Sequence, residues 1–121
     1  MSASSDPTGV LRVDRTTHPD RTELVLHGEL ATDTLPTARD EVAAAEADAP
    51  PVLVLDLAPL DYVDSSGVRL VLLAQHVATE QGRRLAVRLG HGHTRRVFDV
   101  LGLTARLDVI DRESGDPAGS P

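Results

Sequence analysis

Hydrophobic and polar positions along this chain fall into short alternating runs, one continuous apolar run and two stretches of helical spacing. Val10-Leu11-Arg12-Val13 predicts a short strand and residues 22–27 a second, separated by turn chemistry at Thr17-His18-Pro19-Asp20. Two successive strands joined by a loop imply an antiparallel pair. Leu35, Ala38, Val42 and Ala45 then recur at helical spacing, with Arg39, Asp40, Glu41 and Glu46 on the other face. Thr34 stands as the N-cap of that helix, Pro36 lies in its first turn, and Asp48-Ala49-Pro50-Pro51 ends it. Residues 52–57 are apolar without alternation until Asp56, the pattern of a central strand covered on both faces. Residues 59–63 read as a connecting loop. A second helix follows over 68–81, with Leu70, Val71, Ala74, Val77 and Ala78 on its core side and Gly82 as its left-handed cap. Leu72 projects among the polar residues Arg69, Gln75 and His76, an apolar spot with a polar rim. Residues 84–89 predict a strand and 90–93 a loop. Thr94 caps a short helix over 95–101 with Val97, Phe98 and Leu101 inward and Gly102 just past its end. Residues 106–110 predict a last edge strand.

The resulting order, β-β-α-β-α-β-α-β, is that of an α/β sandwich in one domain. Strands separated by helices become parallel neighbours through right-handed crossovers, and the opening pair adds an antiparallel margin. The expected sheet is mixed and mostly parallel, with about five strands flanked by about three helices. The domain spans residues 9–110; residues 1–8 and the Gly/Pro/Ser-rich residues 111–121 are expected to be a disordered start and a flexible tail.

Composition narrows the chemistry. The 121-residue chain carries a formal net charge of −7, which opposes both nucleic acid and an anionic membrane surface as partners. It has no cysteine, so disulfides, thiol catalysis and zinc–thiolate sites are excluded. All its basic residues are arginine, which removes lysine-dependent chemistry such as a phosphate-binding loop or a Schiff base. One Tyr, one Phe and no Trp leave nothing from which to build a base-stacking platform. No apolar run approaches the roughly 20 residues of a membrane span and the N-terminus lacks signal-peptide character, so a cytoplasmic location is expected. His91, His93 and Asp99 match no closed metal site, and no glycine-rich loop offers a nucleotide cradle; neither metal nor cofactor is expected.

What remains is Asp64-Ser65-Ser66-Gly67, at the junction between an apolar strand and a helix, where backbone N–H groups lack internal partners and negative charge is favoured. One reading is a hydrolase nucleophile, but the G-x-S-x-G elbow is absent, because Val63 stands two residues before Ser65. Another is a simple N-cap followed by glycine. In its context the motif says more. Gly28-Glu29-Leu30, Leu53-Val54-Leu55-Asp56, Asp61-Tyr62-Val63-Asp64-Ser65-Ser66-Gly67 and Arg96-Val97-Phe98-Asp99-Val100-Leu101-Gly102-Leu103 resemble, in order and spacing, the STAS domain of bacterial anti-sigma factor antagonists, also called anti-anti-sigma factors. The resemblance runs from about Val10 to Ile110. It implies a partner-switching regulator of sigma-factor-dependent transcription, not an enzyme. In such proteins the unmodified form binds an anti-sigma factor that is also a serine kinase, phosphorylation releases it, and a PP2C-type phosphatase resets the switch. The family's phosphoacceptor is the serine directly after the aspartate, here Ser65, with Ser66 second to it. Glu29, Thr32, Asp33, Asp64, Ser66, Gly67, Arg69 and Leu72 are then expected at or near the partner surface. One departure stands out: where the family usually continues Gly-Glu-Leu with Asp, this chain has Ala31, and Asp33 is the nearest acid able to stand in. A STAS module can also serve as a structural or regulatory subunit, for instance of a lipid-transport ABC complex or a signalling assembly.

Overall fold

The computed structural model describes residues 11–110. Strands β1 (Leu11–His18) and β2 (Arg21–Leu30) form the antiparallel pair, with Leu11 opposite Gly28 and His18 opposite Arg21. Both are longer than their apolar stretches predict, because cross-strand hydrogen bonding continues through the polar residues up to the turn. After a single 3-10 turn (Thr32–Thr34) comes α1 (Leu35–Ala47), then β3 (Val52–Asp56), β4 (Leu60–Val63), α2 (Ser65–Glu80), β5 (Arg84–Arg88) and α3 (His93–Val100). The sheet runs β1-β2-β3-β5 with β4 beside β2, and every pairing other than β1–β2 is parallel.

The mixed five-stranded sheet and three helices are those the pattern predicts, with one exchange. The fifth strand is β4, in the segment that reads as a loop. Residues 106–110 contribute only a single parallel bridge from Val109 to Val87. Strand β2 accepts two parallel partners in succession along one edge: β3 along Thr22–Val25 and β4 along Gly28–Leu30. The register slips between Gly28 and Glu29, where Gly28 takes a φ of 103° that side-chain-bearing residues rarely adopt.

One face of the sheet, with Leu24, Leu26, Leu53, Leu55, Leu85 and Val87, forms the core together with Ala38, Val42 and Ala45 of α1 and Leu70, Val71, Ala74 and Ala78 of α2. The small alanines let the helices lie close to the sheet. Phe98 of α3 is fully buried and is among the largest side chains so enclosed. Val77, expected on the core side of α2, is half-buried.

The opposite face is closed differently. Val54 and Ala86 are buried there, outside the core cluster, with no helix among the described residues above them. Charged side chains rise around them: Arg88 lies 3.3 Å from Glu23 and 3.4 Å from Asp56, and Arg21 lies 2.7 Å from Glu23. Burial pushes Glu23 up, but hydrogen bonds and charge from Arg21 and Arg88 outweigh it and hold the carboxyl below its ordinary range. The expectation that β3 is covered on both faces therefore holds, but the second cover is a lattice of ion pairs. The expectations for residues 1–8 and 111–121 lie outside the described residues.

Candidate functional site

The junction before α2 is built from the end of β2 inward. Asp64 donates its N–H to the Leu30 carbonyl at 3.2 Å, tying the end of β4 to the end of β2. Its carboxylate caps α2, with Oδ1 accepting from the N–H of Ser66 at 2.9 Å and of Gly67 at 3.1 Å. The helix thus starts at Ser65, three residues earlier than the apolar pattern predicts. Two of the backbone donors expected to be vacant for an added negative charge, those of Ser66 and Gly67, are thus already taken by Asp64.

Gly67 is buried, and its identity is dictated by space. A Cβ placed there would stand 2.7 Å from the Leu30 carbonyl oxygen and 2.8 Å from both Leu30 Cγ and Val63 Cγ2. The first turn of α2 therefore presses directly on the β2 and β4 ends.

The two serines differ. Ser66 is half-buried, and its Oγ lies 3.0 Å from Thr32 Oγ1, a link between the 3-10 turn and α2. Ser65 is exposed, and its hydroxyl has no hydrogen-bond partner among the described residues. Thr34 precedes α1 as expected, but its side chain does not cap that helix. Its hydroxyl turns back to donate to the Glu29 carbonyl at 2.8 Å and accepts from the Ala31 N–H at 3.0 Å. Ala31 therefore sits half-buried and extended at the head of the 3-10 turn, with Thr32 and Asp33 exposed beyond it.

Two depressions meet the serines from opposite sides. On the Ser65 side, a groove of about 370 Å³ is lined by Val63, Asp64, Ser65, His93, Arg96, Val97, Val100 and Leu101. Val100 and Leu101 are 79% and 53% exposed, which makes this rim of α3 unusually apolar for a surface. On the Ser66 side, a cleft of about 170 Å³ between α1 and α2 is lined by Leu35, Arg39, Ser66, Arg69, Leu70 and Leu73.

The geometry brings Thr32, Asp64, Ser65, Ser66, Gly67 and Arg69 together, while Glu29 stands exposed at the end of β2 opposite Tyr62 of β4. Leu72 departs from expectation. It is half-buried against the core, because the segment after α3 runs along that side of α2, where Gln75 donates to the Arg106 carbonyl at 3.3 Å. The exposed leucine is Leu73, at 54%. On α3, Leu101 faces out instead of in. Gly92, not Thr94, holds the N-cap position, and Thr94 is buried with a hydroxyl unpartnered among the described residues. His93 is the first residue of α3 and stacks on Tyr62 with ring centroids 5.9 Å apart and planes 11° apart. Among the described residues no three His, Asp or Glu side chains converge as a metal site, and no helix is long and apolar enough to cross a membrane.

The sequence contributions of α3 to this site (Arg96, Val100 and Leu101) were not legible as site residues, since α3 is remote in sequence and only the fold brings it to Ser65. The consecutive apolar residues Val100 and Leu101 at the end of its helical pattern were the available signal, although the pattern alone points Leu101 inward.

Comparison with known proteins fits this architecture. The family described as Mlab, STAS domain matches residues 13–110. An anti-sigma factor antagonist from Mycobacterium paratuberculosis superposes with a TM-score of 0.75 at 22% identity, over 90% of this chain and 89% of its own. The anti-sigma factor antagonist SpoIIAA in its unphosphorylated form gives 0.69 at 22% identity, over 86% of this chain and 89% of its own. The phosphorylated form of SpoIIAA, a Bacillus cell fate determinant, gives 0.65 at 21%, over 86% and 92%. A search of curated proteins returned no match. The fold is that of the antagonists, and the chain belongs to the STAS-domain family.

Proposed function

We propose that the chain is an anti-sigma factor antagonist, switched by phosphorylation at Ser65. Unmodified, it binds an anti-sigma factor that is also a serine kinase and so frees a sigma factor for transcription. The kinase moves the terminal phosphoryl group of its ATP to Ser65 Oγ; the hydroxyl proton is lost and ADP leaves. A PP2C-type phosphatase restores the hydroxyl. The chain itself acts as target and binder, not as an enzyme.

The observation that carries this reading is the contrast between neighbours. Ser65 is exposed and unpartnered among the described residues at the first position of α2, while Ser66 is held by Thr32. An acceptor hydroxyl must reach into another protein's active site, and only Ser65 is presented for that. Its surroundings supply the release. A phosphoserine brings nearly two negative charges. It would stand beside Asp64, with the exposed acids Glu29, Asp33 and Asp61 on neighbouring elements, against a partner that already holds a nucleotide. A penalty of about 3 kcal/mol at such an interface is roughly a hundredfold in affinity. Asp33, exposed on the 3-10 turn, takes the partner-facing role that Ala31 lacks.

The test uses an ATPase-fold serine kinase encoded near the gene. Incubation with that kinase and ATP should place phosphate on Ser65, located by mass spectrometry. Ser65→Ala should retain the kinase in the presence of ATP, while Ser65→Asp should bind it at least about tenfold more weakly. Phosphate on neither serine, or equal binding by both variants, would sink the switch.

A second reading is a STAS subunit of a transport or signalling assembly. The exposed apolar rim Val100–Leu101 favours it, since interfaces with permanent neighbours are more apolar than transient ones. Stable co-purification with a transporter ATPase, unaffected by Ser65→Asp, would select it.

A further inference from the structure

The arginines of this acidic chain are unevenly committed. Most of the described ones stand within 4.0 Å of a carboxylate, as do Arg21, Arg84 and Arg88 on the open sheet face. Arg39, Arg69, Arg96 and Arg106 have no carboxylate within ion-pair distance among the described residues. Three of these four line the depressions flanking the serines: Arg39 and Arg69 on the Ser66 side, Arg96 on the Ser65 side. An exposed guanidinium that a carboxylate-rich protein leaves uncompensated beside a modifiable hydroxyl is a cation without an assigned anion.

We propose that Arg96 is the phosphate-holding residue of this domain. Once Ser65 is phosphorylated, the phosphate oxygens accept hydrogen bonds from the Arg96 guanidinium across the mouth of the groove. This rests on Ser65 being the modified residue. The helix start offers less than usual, because Asp64 already occupies the N–H groups of Ser66 and Gly67. Of the side chains lining the Ser65 groove, Asp64 repels a phosphate, His93 is stacked on Tyr62, and Arg96 alone offers a permanent positive charge. The pairing has a second effect. It draws a charged bridge over an apolar groove bounded by Val97, Val100 and Leu101, so phosphorylation would cap the apolar contact surface as well as add repulsion. Release would then combine two changes made by one group.

Phosphoserine inserted at position 65 during translation yields the modified full chain with no kinase involved. The result is thus independent of whether a kinase writes this serine in the cell. Phosphorus NMR across a pH titration reads the second ionisation of the phosphate, about 6 for an unconstrained phosphoserine. The expected midpoint lies below that, and Arg96→Gln should raise it by about half a unit or more at low salt, a difference that shrinks as salt is added. Asp64, His93 and the α2 terminus are common to both proteins, so the difference isolates Arg96. Arg69→Gln should leave the midpoint in place. A midpoint unmoved by Arg96→Gln overturns the assignment. So does one moved by Arg69→Gln instead, which would turn the phosphate toward the Ser66 cleft. Because Arg96 is exposed and unpaired among the described residues, both variants should keep the parent's thermal midpoint, and matched melts establish that the comparison is between folded proteins.

Discussion

The open face of the sheet and the start of α2 use the same residue type to opposite ends. On the open face, Arg21 and Arg88 converge on Glu23, and Arg88 also reaches Asp56, over the buried Val54 and Ala86. These half-buried guanidiniums complete a layer that in larger α/β proteins a helix would supply. Around the serines, Arg39, Arg69 and Arg96 have no carboxylate among the described residues and only partial packing. Arginine paired inside the molecule maintains the fold, whereas arginine left unpaired is available to something else. The overall charge of −7 does not disclose this division, because it counts paired and unpaired arginines alike.

The comparison can be broken at several points. Gly67→Ala should have the largest effect. Its Cβ meets a backbone carbonyl that cannot move without parting β2 from β4, and we expect a loss of about 2 kcal/mol in denaturant unfolding, net of the helix-propensity gain. Arg88→Met comes next. It leaves Glu23 with Arg21 alone and removes the ion-pair partner of Asp56; a loss of about 1–2 kcal/mol is expected, smaller at high salt. Glu23→Gln should cost about 1 kcal/mol near neutral pH after allowance for solvent screening. The folded carboxyl titrates below its unfolded value, so its contribution is fully present above the unfolded value near 4.5 and is lost as pH falls through the folded one. The variant and parent should therefore converge in acid. Smallest of all, Arg69→Gln should change stability by under about 0.5 kcal/mol. A larger loss would mean that this guanidinium has a structural role, and the contrast between the two regions would fail there.

Much of this was legible because it depends on local pattern. The antiparallel opening pair, α1, β3, α2 and β5 each announce themselves through period or through a capping residue, and Asp64-Ser65-Ser66-Gly67 stands out at a strand-to-helix junction. What escaped was decided by distant contacts. Strand β4 contains only four residues after a proline, with Asp61 and Tyr62 both exposed, and it exists because the end of β2 offers it an edge. Residues 106–110 have the composition of a strand but no full partner, since Val87 takes one bridge and Leu107 turns into the core. Leu72 exchanged places with Leu73 because the segment after α3 covers one flank of α2, a neighbour that no helical wheel contains. The site shares this limit. Its hydroxyls are local, but Arg96 reaches them only through the docking of α3 against β4.

Strand β2 holds β3 with its first half and β4 with its second, and the register slip at Gly28 lies between the two. That slip works as an expansion joint. A displacement at the Ser65 end need not run down the strand, because the hydrogen-bond ladder is already interrupted at a residue that tolerates unusual torsion. The end of the molecule that carries Ser65 can therefore adjust by itself, while the β1-β2-β3-β5 platform keeps its geometry.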